Sequence, residues 1–111
     1  MATVTYKVTI PVLIGRDDGT IVAYTPALNV GSCGRTQHEA MKRLGNAISL
    51  FFSELTEMRT LDKALRELGW RKAELRFVVP RPSEQPASVQ RNIPTHLLSR
   101  RSMNVMVPMA A

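Results

Sequence analysis

The longest helical pattern of hydrophobic positions in this sequence runs from Thr36 to Met58. At about 100° per residue, its apolar side chains fall on a stripe roughly 100° wide. The residues on this stripe are Ala40, Leu44, Ala47, Ile48, Phe51, Leu55 and Met58. Thr36 followed by Glu39 has the spacing of a capping box, which pairs backbone N–H groups that the first helical turn leaves free. We therefore predict one long amphipathic helix lying on a broad apolar surface, most simply a sheet.

Alternation with a period of two predicts that sheet. Apolar and polar residues alternate from Val4 to Ile14, and many of them are β-branched. Pro11 lies within this run and cannot donate to a strand ladder, so it predicts an edge or a bulge. Asp18-Gly19 predicts a turn into a second strand from Thr20 to Thr25. Residues 27–35 are mostly small and predict a short third strand or a loop that leads into the helix.

Shorter patterns follow the long helix. Residues 60–70 have the apolar spacing of a second helix, and residues 73–79 alternate like a strand. Residues 80–92 hold three prolines and show no periodicity, which is typical of a linker or an extended loop. Pro94 predicts the first turn of a short helix that continues through Arg101. Alternation over residues 103–109 predicts a last strand.

Together these elements predict an α+β fold, in which a small antiparallel sheet of β-β-β-α-α-β order packs on one long helix. With 111 residues, the chain has the length of one domain. We place the α+β domain at residues 1–79 and assign residues 80–111 to a Pro-rich linker and a short basic segment. The first ten residues do not have the pattern of a signal peptide, and no apolar run reaches the length of a membrane span. We therefore expect a cytoplasmic protein without a membrane partner.

The net charge of +6 is concentrated in the C-terminal third of the chain. Residues 1–70 contain eight basic and seven acidic residues, whereas residues 71–111 contain seven and two. This asymmetry is typical of contact with a polyanion or an acidic partner, and solvated arginines explain it equally well. The candidate contacts are the basic residues of this part: Arg71, Lys72, Arg76, Arg81, Arg91, Arg100 and Arg101.

The sequence offers few residues for catalysis. Neither His38 nor His96 has a nucleophile or an acid in a recognisable arrangement around it. Cys33 is the only cysteine, so the sequence predicts neither an intramolecular disulfide nor a thiolate metal site. Asp17 and Asp18 lie in a turn, whereas a two-metal nuclease needs carboxylates clustered on adjacent strands. We predict no catalytic, cofactor or metal site, and hence a protein that is not an enzyme.

Taken together, the hairpin, the small-residue loop and the capped helix resemble the HicB family of antitoxins over about residues 4–58. The family pattern is a DG turn, a strand ending in AYxPxL, a G-D-T helix start and a helix of the form EA…AI…L(Y/F). The matching residues are Asp18-Gly19, Ala23-Tyr24-Thr25-Pro26-Ala27-Leu28, Gly34-Arg35-Thr36, Glu39-Ala40, Leu44, Ala47-Ile48 and Leu50-Phe51. Arg35 departs from the pattern because an acidic residue is common there. The resemblance implies a truncated RNase H-like fold, with a small antiparallel sheet covered by one helix.

The resemblance also implies a function. A HicB-like antitoxin would bind a small HicA-type toxin, an RNA-cleaving protein, and cover its active site without a cofactor. Charge does not favour this pair, because a toxin that binds RNA is expected to be basic like this chain. The alternative is an orphan HicB-like oligomeric regulator that binds nucleic acid weakly through its basic C-terminal segment.

The edges of a small sheet favour self-association. An exposed edge is a template for pairing with another chain, and symmetric dimers are the commonest oligomers. Leu50 is the one apolar residue on the polar side of the long helix. We therefore expect a homodimer or a higher oligomer, with Leu50 as a candidate contact.

Overall fold

The computed structural model describes residues 5–74, 76–94 and 96–108. Its strands are β1 (Thr5–Asp17), β2 (Thr20–Thr25), β3 (Val30–Gly34), β4 (Arg71–Ala73), β5 (Arg76–Val78) and β6 (His96–Pro108). Its α-helices are α1 (Gln37–Glu57), α2 (Leu61–Glu67) and α3 (Ala87–Arg91), and a short 3₁₀ turn lies at Pro82–Glu84. The protein thus has an α+β fold with one long helix, which confirms the predicted class.

The main sheet has four antiparallel strands in the order β3-β2-β1-β6. β1 pairs with β6 along most of its length, from Thr5 opposite Pro108 to Arg16 opposite His96. β2 pairs only with the second half of β1, starting at Leu13. Pro11 therefore lies in the half of β1 that has a neighbour on one side only, where its missing N–H is tolerated. The last strand, predicted over residues 103–109, is confirmed as far as Pro108 and begins earlier than expected, at His96, while Met109 lies outside the described residues.

The turn between β1 and β2 needs residues that tolerate positive φ angles, and Asp18 and Gly19 provide them. Asp18 and Gly19 both have positive φ angles, 48° and 78°, and they separate the paired residues Asp17 and Thr20. A two-residue hairpin turn of this kind matches the right-handed twist of its strands and requires residues that tolerate positive φ. The predicted turn and the predicted second strand are both confirmed.

Helix α1 covers one face of the main sheet. Its buried residues are spaced by four: Ala40, Leu44, Ile48 and Phe52. They share one core with buried residues of β1, β2 and β6, namely Tyr6, Ile10, Val12, Ile14, Ile21, Ala23, Val105 and Val107. The predicted stripe is correct along most of α1. At its end, however, Phe52 is more deeply buried than Phe51, and Met58 is 67% exposed because the helix ends at Glu57.

The start of α1 is capped by a side chain. The hydroxyl oxygen of Thr36 accepts a hydrogen bond from the Glu39 backbone N–H at 3.1 Å. The Glu39 carboxylate contacts Arg43, with 2.9 Å between Oε1 and Nη2. The cap therefore has the predicted threonine contact, while the glutamate forms an i,i+4 ion pair along the helix.

Two predictions for the chain after α2 are wrong. Residues 73–79 do not form one strand, because the chain reverses near Glu74, whose φ is 60°, and β4 pairs with β5 as a separate hairpin. Pro94 does not begin a helix, because the chain is already extended at His96 and pairs with β1 from there. In both places, pairing with another strand determines the structure, and a local pattern cannot show it.

The proline-rich stretch is not an unstructured linker. We call residues 80–94 the crossing segment, because they pass over the sheet on the side opposite α1. Gln85 Nε2 donates to the Pro26 carbonyl oxygen at 2.7 Å, and the Tyr24 hydroxyl donates to the Val89 carbonyl oxygen at 3.1 Å. Val89 is fully buried, and Pro94 lies against Gly15 of β1. The segment leads into β6, so residues 96–108 belong to the same sheet as β1.

Two further buried hydrogen bonds join the second half of the chain to the first. The Trp70 indole N–H donates to the Ala27 carbonyl oxygen at 2.7 Å, and the Phe77 backbone N–H donates to the Tyr6 hydroxyl at 2.6 Å. Burial raises the pKa of the Tyr6 phenol. None of the described helices is both long enough and apolar enough to span a membrane.

Candidate protein-binding surfaces

The first candidate surface is the outer edge of β6. Among the described residues, β6 pairs with β1 on one side, and no strand pairs with it on the other. The strand has 13 residues, so at about 3.3 Å per residue this edge is roughly 43 Å long. Side chains of Leu97, Leu98 and Met106 on this strand are 44%, 45% and 54% exposed. A long edge with exposed apolar side chains is a template for strand pairing.

A groove runs between this edge and helix α1. Its volume is about 440 Å³, and its lining residues are Gly45, Ile48, Ser49, Phe52, Met103, Asn104, Val105 and Met106. A methyl group added at Gly45 would meet no atom within 4 Å. The groove is therefore apolar at its base and open beside a glycine in the middle of a long helix.

The opposite edge of the sheet, at β3, is protected. β3 has only five residues, two of which are glycines. Arg43 of α1 donates from Nη1 to the Cys33 carbonyl oxygen at 3.2 Å, so a side chain already occupies a hydrogen-bonding group of this strand. Short edge strands and covering charged side chains are the usual means of preventing strand addition. The two edges of the sheet are thus unequal.

The second candidate surface is the face of the sheet opposite α1, which we call the open face. Because side chains alternate along a strand, its members come from the positions between the core residues. They are Lys7, Thr9, Pro11, Leu13, Val22, Gly31, Cys33, Arg100, Ser102, Asn104 and Met106. The crossing segment covers this face only near Gly15 and Tyr24. The remainder is flat and mixed in polarity.

At the β2–β3 end of the open face there is a hollow of about 410 Å³. Its lining residues are Val22, Tyr24, Asn29, Gly31, Ser32, Cys33 and Asn92. The Tyr24 hydroxyl shares its one proton between the Val89 carbonyl oxygen and Asn29 Oδ1, which lies 2.6 Å away, and Asn92 Nδ2 donates to the same Asn29 oxygen at 2.9 Å. Burial raises the pKa of the Tyr24 phenol. These bonds fix the floor of the hollow through groups that carry no charge.

Three of the basic residues named from the sequence lie on the β4–β5 hairpin and have partners on other elements of the fold. Arg71 Nε lies 3.1 Å from a carboxylate oxygen of Glu84, and Lys72 Nζ lies 3.3 Å from one of Asp62. The Arg76 guanidinium carbon lies 5.6 Å from the centre of a tyrosine ring. These contacts hold the β4–β5 hairpin against its neighbours. They also leave less charge available for a polyanion.

The other four basic residues are spread over the molecule. Arg81 precedes the 3₁₀ turn, and Arg91 ends α3. Arg100 and Arg101 are consecutive in β6, so their side chains lie on opposite faces of the sheet. Arg101 points to the α1 side, where Nη2 donates to Gln37 Oε1 at 3.1 Å. The seven residues therefore do not converge on one surface.

The remaining residues named from the sequence are exposed and isolated. Leu50 is 58% exposed and does not line the groove beside β6. Cys33 is a free, exposed thiol, and His38 and His96 are exposed as well. Over residues 5–74, 76–94 and 96–108, no group of three His, Cys, Asp or Glu side chains is arranged to hold a metal ion.

The fold and its surfaces define a two-layer α+β protein whose short β3 edge is protected and whose long β6 edge is unpaired among the described residues. Comparison of the chain with protein-family models, with curated proteins and with solved structures found no match. The function is therefore argued from the surfaces themselves and from the residue pattern of the first half of the chain.

Proposed function

We propose that this chain is a non-catalytic, antitoxin-like protein with a HicB-like fold, which binds a small HicA-type RNA-cleaving toxin and covers its active site. The residue pattern of the first half of the chain motivates the proposal. The DG turn, the strand after it and the capped helix, which carry this pattern, belong to a single sheet-and-helix unit. The binding surface in this proposal is the open face.

The observation that carries the proposal is that most of the open face is not covered by any described element. α1 covers one side of the sheet, and the crossing segment covers only part of the other. Side chains on a strand ladder are held in place before binding, which lowers the entropy that association costs. A rigid and largely uncharged surface suits steric occlusion of another protein's active site.

The charge of the open face also bears on its partner. Lys7 and Arg100 are its only charged members, so most of the excess of +6 lies elsewhere. Contact with a basic toxin through this face therefore brings few like charges together. The overall charge of the chain, which does not favour the pair, is a weaker objection at this surface.

The alternative, nucleic-acid binding by an orphan regulator, has less support. A phosphate-binding surface gains affinity from several cations that act together along a backbone. Arg71 and Lys72 are paired with acids, and Arg100 and Arg101 lie on opposite faces of the sheet. This arrangement does not provide such a surface among the described residues.

The test is co-expression with the product of a short reading frame adjacent to the gene for this chain. We expect the two proteins to co-purify, and we expect this chain to stop RNA cleavage by its partner at a one-to-one ratio. Cys33→Glu places a charge on the open face at an exposed position, and it should weaken inhibition by at least about tenfold.

The matched control is Val78→Glu, which introduces the same charge on β5 at a position that is 43% exposed and lies in the other sheet. It should inhibit like the unmodified chain, and circular dichroism should show that both variants are folded. The proposal fails if no adjacent product binds, or if Cys33→Glu inhibits as well as Val78→Glu does.

A further inference from the structure

We infer that the outer edge of β6 pairs with β6 of a second copy of this chain. The two strands would run antiparallel about a two-fold axis near Asn104 and join two four-stranded sheets into one of eight strands. This inference does not depend on the toxin, because strand pairing uses the backbone edge of β6 and the proposed toxin contact uses the side chains of the open face, although the two surfaces adjoin at Asn104 and Met106.

The second half of β6 lacks the devices that protect an edge, whereas the first half has two arginines and an irregular register at Ile14–Gly15. Residues 102–107 contain no charged residue and no proline, and Pro108 comes only at the end of the strand. Monomeric proteins normally block a long edge with lysines, prolines, bulges or a covering element. β3 has such protection from Arg43, as described above, and β6 has an open groove beside it instead. The difference indicates that β6 is the edge built to pair.

The positions of two charges favour a second copy and place the axis. In an antiparallel self-pair, an axis at Arg100 or Arg101 would set that residue against its own copy, which is destabilising. An axis near Asn104 sets both arginines opposite uncharged residues of the partner strand. It also keeps Met103 and Val105 of both copies on the α1 side, since opposed residues in a strand pair share a face.

The groove supplies the second part of the interface. A two-fold axis perpendicular to the sheet places both copies of α1 on the same face, so the two grooves become one apolar space between the helices. A glycine in a helix interior lowers stability by about 1 kcal/mol relative to alanine. In the single chain, no neighbouring atom requires a glycine at position 45, because an added Cβ would meet nothing within 4 Å. A partner chain that approaches closely at this point explains why a side chain is absent there.

The size of the surface indicates the class of interface that it would form. Pairing over residues 100–108 spans about 30 Å, at about 3.4 Å per residue. The shortest dimension of the molecule is 21 Å, so each copy would bury roughly 600 Å². Both copies together reach about 1,200 Å², which is at the lower end of stable interfaces. We therefore expect a dimer with a dissociation constant in the micromolar range.

Sedimentation velocity of the full chain between about 1 and 200 μM tests the inference. The sedimenting mass should rise from 12.4 kDa towards twice that value across this range. Gly45→Lys places a long charged side chain in the groove and should raise the dissociation constant at least about tenfold. Lysine is a better helix former than glycine, so this variant should remain folded and its melting temperature should not fall.

Asn46→Lys is the control, since it adds the same charge one residue further along α1 at an exposed position outside the groove. It should dimerise like the unmodified chain. Hydrogen exchange should show that those amides of residues 102–107 that point away from β1 gain protection as concentration rises. The inference is overturned if the chain stays monomeric at the highest concentration, if Gly45→Lys dimerises as tightly as Asn46→Lys, or if protection appears at β3 instead.

Discussion

The replacement Val89→Ala tests whether the crossing segment is part of the folded core. Val89 lies in α3, in a stretch whose prolines suggest a linker, yet its side chain has no exposed surface. If residues 80–92 were a linker, shortening this side chain would have almost no effect on stability. If the segment packs as the structure has it, the change removes two buried methyl-sized groups and leaves a cavity beneath the chain.

The expected loss follows from that burial. Each buried carbon group contributes about 0.8 kcal/mol, so the transfer part of the change is roughly 1.6 kcal/mol. The cavity adds to this figure, since the surroundings relax only partly. The Tyr24 hydroxyl bond to the Val89 backbone oxygen remains, because the substitution leaves the backbone in place. We expect a decrease of about 1.5–3 kcal/mol in the free energy of unfolding.

Urea unfolding followed by tryptophan fluorescence measures this decrease. Trp70 is the only tryptophan and is 2% exposed, so its emission reports loss of the native environment. With an m-value of about 1.5 kcal/mol/M, the midpoint should fall by roughly 1–2 M. Val78→Ala is the control, because Val78 is 43% exposed and should lose less than about 0.5 kcal/mol. Equal midpoints for the two variants would refute the packing of the crossing segment.

Three further predictions concern α1 and the buried tyrosines. Tyr6→Phe leaves the buried Phe77 N–H without its acceptor and should cost about 1–3 kcal/mol in urea unfolding, whereas an unchanged midpoint would contradict that bond. Burial raises the pKa of Tyr6 and Tyr24 above 10.0, so folding favours the protonated phenols. Their contribution to stability should be intact below pH 10 and lost as pH rises through the folded-state pKa, and Tyr6→Phe should lessen this alkaline decline. Gly45→Ala should raise the free energy of unfolding by about 1 kcal/mol, and a destabilised variant would show that the space beside this residue is filled in the chain itself.

The elements that could be predicted from sequence are those whose pattern is local. The hairpin turn at Asp18-Gly19, the strand after it and the cap at Thr36 all appear where the sequence indicates. Each depends on neighbouring residues only: two positive φ angles, an alternation of six residues, and a hydroxyl three residues before its donor. Such local features form in the same way regardless of how the rest of the chain folds.

The elements that could not be predicted depend on contacts between distant residues. The crossing segment is held by one buried valine and by side-chain bonds from Tyr24 and Gln85, and these leave no periodic pattern. The first part of β6 has a proline before it and two arginines within it, which obscured its alternation. This part of β6 is extended because it pairs with β1. The groove beside Gly45 could not be anticipated either, because it requires the position of β6 relative to α1.

The contacts of the basic residues in the C-terminal third lead to a different interpretation of their excess positive charge. Arg71 and Lys72 neutralise acids on other elements, and Arg101 binds the first turn of α1 through Gln37. Charge distributed in this way joins segments of one chain, whereas a polyanion site needs cations that converge. In β6 the two arginines also end the uncharged run of residues 102–107, and like-charge repulsion would penalise any slip of a paired β6 towards them. The same cations that suggest nucleic acid from the sequence thus contact other segments of one chain, and in the proposed dimer Arg100 and Arg101 would disfavour other registers of β6.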